Sequence, residues 1–120
     1  MAEAAELEQD HLESLKVLGY FYLRLGLAER AERLFAALTA LIPGDAQAAL
    51  SLAAARLEAG RPGEALALFD RPPLSGPEAG GLTAEAARLL KARSLWRLGR
   101  REETFALLER GPSAGSGAGA

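Results

Sequence analysis

Apolar and polar positions in the first part of the chain follow the spacing of an α-helix, in which residues three and four apart share one side. One side carries Leu15, Leu18, Gly19 and Tyr22 and is expected to pack on the next helix. Another side carries Glu13, Lys16, Tyr20 and Leu23. Alanine and leucine dominate the chain and β-branched residues are scarce, which favours helix. The pattern predicts an all-α protein without strands.

Residues that begin and end helices divide the chain into six predicted helices. Gly26 and Gly60 suit left-handed helix ends, Asp45 suits an N-cap, and Pro62 suits a first turn. The predicted helices cover about 8–25, 28–41, 46–59 and 62–70, then a segment from a cap at Thr83 to Gly99, and 102–110. Residues 71–82 hold three prolines and three glycines and are predicted to form a loop.

A set of residues recurs after 34 positions. Leu18, Gly26, Ala31, Phe35 and Pro43 return as Leu52, Gly60, Ala65, Phe69 and Pro77. An interval of this length is typical of helix–turn–helix repeats, which present a curved surface for another protein. Because Gly99 comes 39 positions after Gly60, the third unit is predicted to be irregular.

These residues resemble the tetratricopeptide repeat, with its pattern W-x2-L-G-x2-Y…A-x3-F…P. The first repeat gives Leu15, Leu18-Gly19, Tyr22, Ala31, Phe35 and Pro43, and the second gives Ala49, Leu52-Ala53, Arg56, Ala65, Phe69 and Pro77. The third keeps Ala92, Leu95, Gly99 and Leu108, with Thr104 where the family has Ala. The resemblance implies three helical hairpins that form a short right-handed α-solenoid with a concave groove. The alternative is a plain helical hairpin with leucine patterning.

The expected domain organisation has three parts. Residues 1–7 are predicted to be disordered, and 8–110 to form a single helical domain with repeats at about 12–45, 46–79 and 85–110. Residues 111–120 read GPSAGSGAGA, and this Gly/Ser/Ala tail is predicted to be disordered because it cannot bury a core. Nothing after Arg110 is then left to cover Leu95, Phe105 and Leu108.

The resemblance also implies a partner-binding groove lined by the first helix of each hairpin. The groove residues carried over are Lys16, Tyr20, Leu23, Arg24, Leu50, Ala54, Leu57, Leu89, Arg93 and Trp96, with Glu13, Gln47, Glu58, Ala86 and Arg97 beside them. Its six large apolar side chains exceed what a monomer usually exposes, which indicates an apolar or amphipathic helix or an extended segment as ligand. Alternatively these side chains pack within a tight array or against the termini, and Trp96 fills the space between the fifth and sixth helices.

The sequence offers no catalytic, metal or cofactor site. His11 is the only histidine, cysteine is absent, and no serine has a plausible base. We therefore expect no enzyme activity, no cofactor and no metal. The net charge of −2 does not favour nucleic acid, and no apolar run approaches the roughly 20 residues of a membrane span. The acidic start of the chain lacks the character of a secretory signal, so a soluble, cytoplasmic protein is expected.

Among tetratricopeptide proteins, the chain is most similar to small bacterial type III secretion chaperones, first the YscY-like group and next the YscG-like one. The residues that carry this are Leu18-Gly19-Tyr20, Gly26-Leu27-Ala28-Glu29-Arg30-Ala31, Leu34, Ala37-Leu38, Leu41 and Pro43. The resemblance implies a bacterial chaperone that keeps a small secreted component soluble and export-competent, in a heterodimer or small heteromer. The alternatives are a generic adaptor or scaffold module and a structural protein that self-associates through its uncapped end.

Overall fold

Six helices make up the described chain. The computed structural model describes the backbone of residues 2–75 and 81–110, and the side chains of 8–75 and 84–110. The helices are α1 (Ala2–Arg24), α2 (Ala28–Leu41), α3 (Ala46–Glu58), α4 (Pro62–Leu68), α5 (Gly81–Arg97) and α6 (Arg101–Glu109). The described residues contain no strand, so the all-α prediction is confirmed for them. The finer prediction, a right-handed solenoid of three tetratricopeptide-like hairpins, stays a prediction.

Three helices end at a glycine in the same way. Gly26, Gly60 and Gly99 have φ of 80°, 82° and 78°. Residues other than glycine rarely adopt this left-handed backbone conformation. The residue after each glycine donates its backbone N–H to a carbonyl five residues earlier, as Leu27 does to Tyr22 at 2.8 Å. These bonds satisfy carbonyls at the end of the helix. The predicted N-cap of α3 is also present, because Asp45 Oδ1 accepts the N–H of Ala48 at 3.1 Å.

The helix bounds differ from prediction mainly at the start of α1, at the end of α4 and at both ends of α5. Residues 1–7 were predicted to be disordered, whereas α1 begins at Ala2. Alanine and glutamate favour helix, and acidic residues near an N-terminus interact well with the helix dipole. α4 ends at Leu68, two residues early, and α5 begins at Gly81, before the predicted cap. Residues 76–80 of the predicted loop and the 111–120 tail lie outside the described residues.

The central helix α3 contributes to two apolar clusters and contacts α1, α2, α4 and α5. The first cluster joins α3 to α2 through Ala31, Phe35, Leu38, Ala48, Leu52 and Ala55. The second joins α3 to α4 and α5 through Ala49, Ala53, Leu57, Ala65, Phe69, Leu74 and Ala87. The alanines and phenylalanines that recur after 34 positions are therefore interior. In the described residues, α1 contacts only α2 and α3, and α6 contacts only α5.

Close packing between α1 and α2 depends on Gly19. A Cβ atom at this position would overlap the ring of Phe35, which is fully buried. Gly19 was predicted to lie on the side of the first helix that packs on the second, and its contact with Phe35 agrees with this. Leu18, predicted to pack on α2, is instead 41% exposed, because the side of α1 that meets α2 is centred on Leu15, Gly19 and Tyr22. No helix in the described parts of the chain has the length and apolar character needed to cross a membrane.

Candidate functional site

An open apolar groove lies between α5 and α6, and we call it the α5–α6 groove. It has a volume of about 500 Å³. Its lining consists of Leu89, Ala92, Arg93, Trp96, Arg97, Thr104, Phe105 and Leu108. Trp96 is 49% exposed and Phe105 is 52% exposed, although side chains of this size are usually covered. The groove therefore presents a large apolar surface to any partner.

The aromatic wall of the groove is held by contacts between α5 and α6. The rings of Trp96 and Phe105 meet edge to face with their centroids 6.1 Å apart, a favourable geometry for aromatic pairs. The guanidinium carbon of Arg101 lies 5.3 Å from the centroid of the Trp96 ring, within reach of a cation–π interaction. These contacts orient the Trp96 ring while leaving half of the side chain accessible.

Small residues form the floor of the groove. Ala92 and Thr104 are buried between α5 and α6. The Thr104 hydroxyl donates to the carbonyl oxygen of Arg100 at 2.9 Å, at the start of its own helix. This bond satisfies the hydroxyl, so Thr104 can stand where the repeat pattern has alanine without demanding a polar partner. The groove stays deep because no long side chain rises from its floor.

The edges of the groove are basic. Arg93 reaches across to α3, where its Nη2 lies 3.3 Å from Glu58 Oε1. Arg97 and Arg101 are exposed near Trp96. The α5–α6 groove therefore combines an apolar lining with cationic edges.

Three of the ten predicted site residues lie in this groove, namely Leu89, Arg93 and Trp96. The others do not join them. Leu23, Leu50 and Ala54 are half-buried, and the first two pack against the clusters around α3. Tyr20 is partly exposed but lies with its ring centroid 5.6 Å from that of Phe35, and Arg24 is exposed on α1.

Leu57 was predicted to face solvent in the groove, and this is wrong. It is 1% exposed and belongs to the second cluster, together with Ala87 of α5. The physical reason is that α5 packs on α3 and covers the side where Leu57 lies. The predicted apolar groove across all three first helices is therefore interrupted at α3.

Lys16 was predicted as a groove residue, and it is instead a buried structural cation. It is 5% exposed, and its Nζ donates to Asp45 Oδ2 at 2.5 Å and lies 3.5 Å from Glu13 Oε1. Burial by itself lowers the pKa of Lys16, but the hydrogen bond and charge of Asp45 outweigh it, so the pKa is raised. Burial likewise raises the pKa of Asp45, but the bonds from Lys16 and the Ala48 N–H lower it overall. The pair ties α1 to the start of α3.

The α6 side of the groove was missing from the predicted site. Phe105 and Leu108 were expected to be uncovered, which the structure confirms, but they were not assigned to the binding surface. Leu95, also expected to be uncovered, is buried. The recurring sequence pattern could have indicated that Phe105 and Leu108 belong to the site. They lie 39 positions after Leu66, which packs against the second cluster, and Phe69, which is part of it.

In the parts of the chain that the structure describes, no group of three or more His, Cys, Asp or Glu side chains could hold a metal ion. Comparison of the chain with known protein families, curated proteins and solved structures gave no match.

Proposed function

We propose that this protein is a helix-binding interaction module that holds the apolar side of an amphipathic client helix in the α5–α6 groove. The observation that carries the proposal is the half-exposed pair Trp96 and Phe105 beside an apolar space of about 500 Å³. Each large apolar side chain that a client buries there contributes on the order of 1.5–3 kcal/mol before the cost of ordering.

The matching surface one unit earlier supports a helix as the ligand. Ala53, Leu57, Ala65 and Phe69 lie 39 positions before Ala92, Trp96, Thr104 and Leu108. All four are buried in the cluster that includes Ala87 of α5. Since the chain fills the earlier surface with one of its own helices, the later surface has the shape and chemistry to receive another helix. This relation also favours three stacked tetratricopeptide-like hairpins.

The sharper form of the proposal is a chaperone of a type III secretion component in the bacterial cytoplasm. Its support is the resemblance of the first repeat to the YscY-like group and the presence of an apolar groove. A client helix that would aggregate when free would remain soluble while its apolar side lies against Trp96. Basic edges at Arg97 and Arg101 would orient a client with acidic flanks. Binding of this kind needs no nucleotide.

A peptide from the chain itself provides a direct probe of the groove. α3 packs on the first cluster through Ala48, Leu52 and Ala55, so a fluorescently labelled peptide of residues 45–60 presents a suitable apolar side. We expect fluorescence anisotropy to show saturable binding of the labelled peptide. With an unlabelled peptide, the fluorescence emission of Trp96, the single tryptophan, should shift to shorter wavelength. Phe105→Glu should abolish binding.

The matched control is Leu41→Glu, which places the same charge at an exposed apolar residue of another helix, α2. It should bind the peptide as the wild type does. Equal binding by wild type and Phe105→Glu, or no binding at millimolar peptide, would contradict the groove as a helix site.

The chaperone role is tested by coexpression with the small proteins encoded beside this gene. We expect one of them to be insoluble alone, soluble with the wild type and insoluble again with Phe105→Glu. A partner that is already folded and soluble by itself would favour the adaptor function instead.

A further inference from the structure

A second apolar surface lies on α1, and we call it the α1 stripe. It consists of Val17, Leu18 and Phe21, which share one side of the helix, and of Leu25 just after its last residue, whose backbone N–H still donates to the carbonyl of Phe21 at 2.9 Å. All four are exposed, with Phe21 at 58% and Leu25 at 69%. Four large side chains exposed to this degree form a patch of several hundred square ångströms, a size that marks interaction sites.

The residues of the α1 stripe correspond to residues of α3 that pack on other helices. Leu18 and Phe21 lie 34 positions before Leu52 and Ala55. Leu52 and Ala55 are buried in the first cluster, where they pack α3 against the preceding helices. The α1 stripe is thus a stacking surface with no helix against it in the described chain, since α1 contacts only α2 and α3.

The α1 stripe has larger residues than the corresponding side of α3, which packs in the first cluster. Ala55 of α3 and its C-cap residue Ala59 lie 34 positions after Phe21 of α1 and Leu25, the residue that follows α1. Small residues let α3 approach its neighbouring helices closely, whereas Phe21 and Leu25 protrude and can interdigitate with large residues of a facing helix. A single helix with the same large residues is a second copy of α1.

Charges beside the stripe set the direction of such a pairing. Glu13 and Arg24 lie on the same flank of the stripe, at its two ends, and both are exposed. In an antiparallel pair centred between Leu18 and Phe21, Glu13 of each copy faces Arg24 of the other. A parallel pair would place the acidic N-terminal halves side by side, where like charges repel.

We propose that the α1 stripe is a homodimer interface in which two copies of α1 pack antiparallel about a two-fold axis. The contact is isologous, so the dimer is closed and does not extend into a filament. A standard stable interface buries about 800 Å² per partner, so the stripe forms its apolar centre and the helix flanks form its rim. The α5–α6 groove lies on helices that α1 does not contact. It stays open in the dimer, which can therefore carry two client helices.

Sedimentation velocity of the full chain over about 1–200 μM tests this interface, since modest contacts of this size dissociate in the micromolar range. We expect a monomer–dimer equilibrium without larger species. Phe21→Glu should raise the dimer dissociation constant by about 30-fold or more, as loss of an aromatic hot spot does. Phe105→Glu, which alters an equally exposed phenylalanine on α6, should dimerise normally while losing peptide binding.

Charge reversal tests the antiparallel geometry. Glu13→Arg and Arg24→Glu should each weaken the dimer, and the double variant should restore it. Circular dichroism checks folding, and Leu25→Glu serves as a second stripe variant because Leu25 is the more exposed position. A wild type that stays monomeric at all concentrations, oligomers that grow beyond the dimer, or a dimer that Phe21→Glu leaves intact would each overturn the proposal. None of these outcomes affects the peptide assay of the α5–α6 groove.

Discussion

The contrast between Leu57 and Trp96 gives the sharpest test of the structure. The two residues lie 39 positions apart at matching places in α3 and α5. Leu57 is 1% exposed and belongs to the second cluster, whereas Trp96 is 49% exposed. Substitution by alanine should therefore have very different effects, although tryptophan loses more atoms than leucine.

The magnitude follows from burial. Leu57→Ala removes a fully buried side chain and leaves a cavity, which should lower the free energy of unfolding by about 3 kcal/mol. For a domain of this size, that corresponds to a loss of roughly 12–20 °C in Tm. Trp96→Ala loses the edge-to-face contact with Phe105 and about half of the usual burial, so roughly 1 kcal/mol is expected.

Urea unfolding followed by circular dichroism at 222 nm measures both variants without relying on tryptophan fluorescence. We expect Leu57→Ala to be much less stable than Trp96→Ala, and only Trp96→Ala to lose peptide binding while remaining fully folded. If the two variants are equally destabilised, Trp96 is covered in solution and the reasoning that makes the α5–α6 groove a binding site is refuted.

Two further predictions concern the packing of α1. Asp45→Asn keeps the N-cap acceptor of α3 but removes the charge that Lys16 contacts. It should therefore lower the free energy of unfolding by about 2 kcal/mol at pH 7. Because the folded pKa of Asp45 lies below its unfolded value of about 3.9, the wild-type advantage should persist above pH 4 and vanish as the pH falls through the folded pKa. A difference between the two proteins that does not change with pH would contradict the ion pair. Gly19→Ala should lower the free energy of unfolding by about 1–3 kcal/mol because the new methyl group overlaps the Phe35 ring. Gly63→Ala, which has open space around it, should leave the free energy of unfolding unchanged or raise it by up to about 1 kcal/mol. Equal thermal stability of the two alanine variants would contradict the close approach of α1 and α2.

Local sequence signals predicted the elements well. Gly26, Gly60 and Gly99 ended helices as expected, and Asp45 capped α3, because these features depend on residues only a few positions apart. The alanines and phenylalanines that recur after 34 positions lie in the two apolar clusters. The start of α1 was missed because a short acidic segment was expected to be disordered, although its alanines and glutamates favour helix.

The candidate site could be predicted only in part. Leu89, Arg93 and Trp96 lie together in the α5–α6 groove, whereas Lys16 and Leu57, which were assigned to the same predicted groove, are buried elsewhere. Lys16 contacts Asp45, which is 29 positions away, and no local pattern reveals that contact.

The sequence by itself determined the helical class, the ends of most helices and most of the residues that pack α1 on α2, because these follow from backbone preferences and from spacing along a single helix. Only the tertiary structure decided which apolar positions face solvent. Leu57 on α3 and Trp96 on α5 lie 39 positions apart, and one is core while the other lines the α5–α6 groove. The difference lies in whether another helix covers the position: α5 covers Leu57, and no helix in the described chain covers Trp96.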